Sequence, residues 1–457
     1  MDGHDGVCTL QYESHSTTIA AIQQPLTHGL APYSSDPGAS IKSFNGKSCR
    51  LTPAALLILA LHVPGAHAEE AVTPRLSFAG FGTLGVVHSS ENKADFGATV
   101  LVPNGAGYSH PWSADVDSRI GAQVAANFTP QLSAVVQVIS EQRYDNSYTP
   151  TIEWANVKYH FTPDFSVRVG RIVLPVFLVS DYRKLSYANP WVRPPVELYS
   201  LIPVSSSDGI DASYRVQRGE LTNTVQATHG YNKAQLPGGG TVSAKDTWGV
   251  SYTAEYGATA VHATYHRTKL TLDSVKPLFD GFRQFGAQGV ALAEKYDVNN
   301  KPHTFIGIGA RYDPGRWFVM GEWGLTQSDS ALGKRSAWYA SGGYRLGQFT
   351  TYLTYAQAKV QSNMSDPGLT VSALPPFLAG PAVGLNAGLN ALLGSAPIQK
   401  TLSVGMRWDF ARNTALKLQF DHIRIGAGSQ GTLINIQPGF QPGGKVNVFS
   451  ATLDFVF

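Results

Sequence analysis

Gly80-Phe81-Gly82-Thr83-Leu84-Gly85 matches G-x-G-x-x-G, the spacing that can cradle a dinucleotide pyrophosphate. That chemistry needs a strand before the glycines and a helix after them. Val86-Val87-His88 instead continues an extended pattern, so the glycines read as sites of close packing or curvature within one strand. His262 and His266 stand on the polar face of one alternating segment. At strand rise they lie ~13 Å apart, too far to share a metal. Neither G-x-S-x-G nor H-E-x-x-H occurs, and the chain is expected to be no enzyme and to hold no cofactor or metal. Two groups of charges remain. Asp181, Arg183, Lys184, Arg193 and Glu197 crowd into residues 176–207, beside Tyr182, Tyr187, Trp191, Tyr199 and several prolines. Arg119, Arg143, Lys158 and Arg168, with Glu141, recur at the polar positions of four consecutive segments. Opposed charges of this kind orient polar solutes and bias ion type when they line a wet passage.

The composition says what must hold such charges. Only 15% of the 457 residues are charged, 43% are hydrophobic, and there are 46 glycines and 20 tyrosines. Soluble domains carry about 25% charge. The mean hydropathy of −0.10 is too polar for a bundle of membrane helices. The aromatic content disfavours disorder. A net charge of +3 gives no basic footprint for a nucleic acid. An all-β protein with a lipid-facing exterior fits these limits.

Alternation of period two supplies the elements. Ile120, Ala122, Val124, Ala126 and Phe128 share one face of 118–128, with Arg119, Gly121, Gln123 and Asn127 on the other. Leu132, Ala134, Val136 and Val138 alternate with Ser133, Gln137, Glu141 and Arg143. Ala155, Val157, Tyr159 and Phe161 alternate with Asn156, Lys158 and His160. The pattern recurs to the C-terminus and predicts about 16 strands, an even number, joined alternately by short turns and longer connections. Phe128, Phe161, Phe165, Tyr256, Tyr312, Trp317, Phe349 and Phe410 flank the short turns, as an aromatic girdle at one membrane interface would. A charge on the lipid face near midplane would cost ~2–4 kcal/mol, so Arg119, Arg143, Lys158 and Arg168 are expected to face a lumen. No apolar segment after Ala68 is expected to span a membrane as a helix. Short helices are expected within the connections at 281–296 and 384–394.

The N-terminal part predicts export. Lys47 and Arg50 precede the apolar run Ala54–Leu61, and Ala66-His67-Ala68 follows as a small-x-small cleavage site. Residues 47–68 are therefore expected to be a signal peptide, with 1–46 an atypical upstream extension outside the fold and 69–457 the mature barrel. Both cysteines, Cys8 and Cys49, fall before the cleavage site, so no disulfide framework is expected.

The last strand ends at the last residue, with Phe449, Ala451, Leu453, Phe455 and Phe457 on one face. A terminal strand closing on Phe, after a signal peptide and without cysteines, resembles a Gram-negative outer-membrane protein. The strand count, the first strand Leu76–Gly85 and a long connection after the fifth strand resemble the general porin superfamily. The resemblance implies a 16-stranded transmembrane β-barrel that assembles as a homotrimer. It implies passive diffusion of small hydrophilic solutes, with outer-membrane lipid outside and no nucleic-acid partner. It also implies that 176–207 folds inward as a constriction loop bordered by Asp181, Arg183, Lys184, Arg193 and Glu197. Arg119, Arg143, Lys158 and Arg168, with Glu141, would form the facing wall, and Phe455 and Phe457 the assembly signal. These charges together imply weak anion preference. The loop lacks the acidic glycine-containing motif of enteric porins. Two other readings of the same barrel are a channel selective for phosphate, sugars or aromatic acids, with Tyr182, Tyr187, Trp191 and Tyr199 as a slide, and a structural barrel plugged by its loops.

Overall fold

The computed structural model describes residues 75–457. The expected signal peptide, upstream extension and cysteines lie outside the described residues. Sixteen long antiparallel strands form one closed sheet. They are β1 (Arg75–Ser89), β2 (Arg119–Asn127), β3 (Leu132–Glu141), β4 (Thr151–His160), β5 (Phe165–Val173), β6 (Ser206–Arg218), β7 (Leu221–Gln235) and β8 (Thr241–Tyr256). The second half comprises β9 (Thr259–Leu272), β10 (Lys301–Tyr312), β11 (Trp317–Ser328), β12 (Lys334–Leu346), β13 (Phe349–Val360), β14 (Gln399–Ala411), β15 (Thr414–Ile425) and β16 (Lys445–Val456). Two-residue strand fragments decorate the connection after β1.

Closure falls to β1, which pairs with β2 through Arg75–Thr83 and with β16 through Phe81–Ser89. The Gly80 and Phe457 backbones exchange hydrogen bonds of 2.8 and 2.9 Å, so the last residue completes the ladder. A Cβ on Gly80 would stand 2.3 Å from the Phe457 ring, and one on Gly82 would stand 2.4 Å from the Phe455 ring. The first strand is thus glycine-rich because the aromatic tail of the last strand lies flat across it. This is the close packing expected of the 80–85 glycines.

The alternation survives in three dimensions. Along β13, Thr350, Tyr352, Thr354, Ala356 and Ala358 point inward and are buried, while Phe349, Thr351 and Leu353 point outward and are exposed. The girdle residues lie at the short-turn ends, with Tyr159 on Phe161 at 4.8 Å, Tyr312 on Trp317 at 5.3 Å and Phe349 on Trp408 at 5.6 Å. The tight turns after β12 and β14 use Gly347 and Asn413 at φ of +60°, the left-handed conformation that these residues tolerate.

The long connections sit at the opposite end and depart from the sequence reading in two places. Three helices, α2 (Lys276–Arg283), α3 (Gly286–Tyr296) and α4 (Pro376–Gly394), pack together through Phe279, Phe282, Leu292, Ala382 and Leu389. The helix expected at 281–296 is thus two helices, and the one expected at 384–394 starts eight residues earlier. The expectation that no later segment has the length and apolarity of a membrane span is also corrected. The 19-residue α4 meets that criterion with a mean hydropathy of 1.3. It is folded against the other loop helices, where its Ala382, Leu389 and Leu393 are buried.

Candidate functional site

The connection between β5 and β6 turns into the barrel. It begins at Leu174, carries short helical turns at 180–182 and 186–188 and the helix α1 (Val196–Tyr199), and returns to β6 at Ser206. Its apolar side chains join the inner wall. Phe177, Val179, Trp191, Leu198 and Tyr199 cluster with Phe305, Phe318, Tyr339 and Tyr352. Trp191 donates to Ser341 Oγ at 2.9 Å and packs edge-on against Tyr339. Trp191 and Tyr199 are 1% and 3% exposed, so half of the aromatic slide considered above is committed to this packing.

Charge fixes the loop at several points along its length. Arg193 donates to Asp117 at 2.8 and 2.5 Å, to Ser450 Oγ at 2.6 Å and to Asp421 at 3.4 Å. Glu197 accepts from Gln399 at 2.6 Å and from the Thr401 hydroxyl. Burial pushes the Glu197 carboxyl above its ordinary value, against these hydrogen bonds. Glu322, on β11, accepts from the Leu178 amide at 2.7 Å and from the Tyr199 and Tyr339 hydroxyls at 2.8 Å. Lys417 of β15 donates to the Ser186 and Trp191 carbonyls and pairs with Asp454 at 2.9 Å. Arg407 of β14 donates to the Tyr187 and Asn189 carbonyls. Each buried charge is hydrogen-bonded on several sides, which low-dielectric burial requires.

The sequence-derived site residues therefore divide. Arg193 and Glu197, 6% and 1% exposed, are anchors against β14–β16. Arg183 donates to the Tyr199, Ile202 and Val204 carbonyls and lies over the Phe177 and Tyr199 rings, with no carboxylate in ion-pair contact among the described residues. Lys184 bridges Glu141 at 2.5 Å and Glu153 at 2.9 Å. Asp181 is exposed, and Arg168 and Lys158 are the cations that act on it. On the wall, Arg119 reaches Glu141 at 3.7 Å and Arg168 pairs with Asp211 at 2.8 Å. Lys158 stands directly across from Arg168 in the ladder and has no ion-pair partner among the described residues. Loop residues 180–185 and the inner faces of β2–β5 enclose a polar recess that includes Gln123, Gln137, Glu153, Asn156 and Arg168.

Arg143 departs from its expected place. β3 ends at Glu141, and Arg143 sits in the following turn, its guanidinium 5.5 Å from the Tyr144 ring. It stands at the loop end of the barrel instead of on a strand face. Glu153 and Asp117 were missed. A bulge at Gln137/Val138 shifts the register of β4, so Glu153 turns inward from a position that strict alternation assigns to the outside. The signal that could have found it is a lone carboxylate on an otherwise lipid-facing row. Asp117 precedes β2 and belongs to no periodic segment, so nothing in the pattern marks it. His262 and His266 face inward as expected, and no metal-binding group of His, Cys, Asp or Glu occurs among the described residues.

No family model matches the chain, and no curated protein matches it. Solved structures do. The chain superposes on the outer membrane channel DcaP of Acinetobacter baumannii with a TM-score of 0.52 at 12% identity, covering 86% of this chain and all of that one. Salmonella typhi OmpF, solved with daunomycin, matches with a TM-score of 0.51 at 13% identity, over 84% of this chain and 97% of that one. An anion-selective porin from Comamonas acidovorans matches with a TM-score of 0.49 at 12% identity, over 84% and 100%. The fold is that of the outer-membrane porins: a closed barrel of sixteen antiparallel strands.

Proposed function

We propose that this chain is a bacterial outer-membrane porin, a passive channel for small hydrophilic solutes and ions with weak anion preference. The observation that carries the reading is the loop held inside the barrel by buried charge, with its Asp181 lining the same polar recess as Arg168 of the wall. A barrel of this strand number encloses an aqueous channel, and an inward loop sets its size limit. Around the recess, the cations Arg119, Lys158, Arg168, Arg183 and Lys184 face the carboxylates Glu141, Glu153, Asp181 and Asp211. The balance is a small positive excess, screened over ~8 Å at physiological ionic strength. Anion preference is therefore weak and fades as salt rises. The protein performs no chemistry, and three copies assemble side by side.

The test is the reversal potential of the purified protein in a planar bilayer under a KCl gradient. Lys158→Gln together with Arg119→Gln moves it toward cations, whereas Arg143→Gln, in the outer turn, moves it little. A double variant with the wild-type reversal potential removes Lys158 and Arg119 from the conducting path. Absence of any conductance favours the plugged structural barrel.

A further inference from the structure

One guanidinium on the inner wall has no partner. Arg335 shares the inward face of β12 with Ala337, Tyr339 and Ser341, which pack on the loop or bond to it. Its guanidinium makes no hydrogen bond or ion pair among the described residues, and its Nε is buried. His303, on the inward face of β10 with Phe305, is in a similar condition, with a buried Nδ1 that no group meets. Arg335 is the charge that acts on this imidazole. Between them runs β11, which supplies hydroxyls. Thr326 lies directly across from Arg335, and Ser328 directly across from His303; both are buried.

The protein supplies no carboxylate here. Glu322 is the one acidic residue on β9–β13, and the Leu178 amide and the Tyr199 and Tyr339 hydroxyls already occupy it. Asp297 pairs with Arg283 at 2.5 Å, and Asp329 is exposed in the turn after β11. Glu197 of the loop is taken by Gln399 and Thr401. The boundaries of the niche are apolar. On the loop side, Phe305 packs on Phe177 at 5.5 Å, and Leu198 and Phe305 lie over Gly324. On the exterior side, Leu270 and Leu272 of β9 and Ala331 and Leu332 of the β11–β12 turn pack against the α2–α4 cluster. Such surroundings lower the local dielectric and strengthen the pull on an opposite charge. A charge withdrawn from water without a partner is costly, and an anion entering the niche offsets that cost. Arg335 and His303 each remain half-buried, so a solute in the vestibule can reach them.

We propose that Arg335 and His303 form a binding site for the carboxylate or phosphate group of a small anionic solute, in the outer vestibule between the inward loop and the loop helices. The guanidinium fork donates two parallel hydrogen bonds to such a group, and an imidazole N–H donates a third. β10 and β12 lie ~10 Å apart across β11, a span that one oxyanion flanked by the two side chains fills. The site rests on the channel reading and deepens it by naming a class of solute, and it lies apart from the recess along β2–β5.

The test is equilibrium dialysis of the detergent-purified full chain at low salt against labelled inorganic phosphate and, separately, labelled acetate. Wild type binds one anion per chain with saturation. Arg335→Gln weakens binding at least tenfold and His303→Gln severalfold. Lys359→Gln removes an equal charge from the outer face of β13 and leaves binding unchanged. Heat-modifiable gel mobility establishes that each variant is folded, and His303→Gln carries the test if Arg335→Gln does not fold. Saturation by both probes marks a site for carboxylates and phosphates alike, and saturation by one alone assigns it to that group. The proposal is overturned if wild type takes up both anions without saturation, or if the folded Arg335→Gln or His303→Gln variant binds as wild type does. Because the readout is binding, saturation without any conductance would sink the channel reading alone, and conductance without saturable binding would sink the site alone.

Discussion

Replacing Arg193 by Met isolates what holds the loop inside the barrel. The guanidinium is the cation for two carboxylates, Asp117 and Asp421, which are 2% and 3% exposed. Met keeps much of the volume and removes the charge, leaving both carboxylates buried in the docked state. Breaking a buried pair from one side costs about 3–5 kcal/mol. Swinging the loop out would return water to both groups, so nearly all of that cost falls on the docking equilibrium. The barrel ladder itself is untouched. At 1.4 kcal/mol per tenfold, the undocked population rises by roughly two to three and a half orders of magnitude. A cysteine at Leu198, 1% exposed when docked, reports it, because its reaction with a polar thiol reagent requires opening. Modification in the Arg193→Met background should be faster by about that factor. Single-channel current noise should rise with it. Adding Asp117→Asn and Asp421→Asn should recover much of the protection, because the cost resides in the stranded carboxylates. A rate within tenfold of wild type would refute the reasoning, and would mean that Glu322, Lys417, Arg407 and apolar packing hold the loop without Arg193.

Deleting Phe457 removes the backbone pair with Gly80 and the ring over it; outer-membrane levels of heat-modifiable barrel should fall sharply, and unchanged levels would count against a terminal assembly signal. Gly82→Leu should reproduce much of that loss by displacing the Phe455 ring, checked on the same gels. Because burial raises the Glu197 carboxyl, the folded state binds its proton more readily than the unfolded chain. Wild-type thermal stability should therefore fall as pH rises from the ordinary carboxylate range through that raised value, and Glu197→Gln should flatten the difference. Equal pH slopes in wild type and variant would sink the argument. N-terminal sequencing of protein from outer membranes should begin at Glu69; a product retaining Cys49 would contradict the cleavage site.

The sequence by itself determined the barrel. Period-two alternation is a local property of each strand, and a lipid exterior with a wet interior makes it legible without knowledge of any partner. Strand number, the end bearing short turns, the girdle and the inward position of Arg119, Lys158 and Arg168 all follow from it. So does the inward place of His262 and His266. Tertiary structure decided whatever depended on register and on contacts across the lumen. A single bulge turned Glu153 inward, and parity cannot foresee an inserted residue. Arg193 and Glu197 looked like pore charges beside Asp181, but partners more than 200 residues away, Asp421, Ser450, Gln399 and Thr401, took them as anchors. The glycines at 80 and 82 announced close packing, while the rings they accommodate come from the far end of the chain. A loop has no period, so the side of it that meets water is set by which of its charges find buried partners. For Asp181 and Arg193, twelve positions apart in one segment, only the folded barrel could make that assignment.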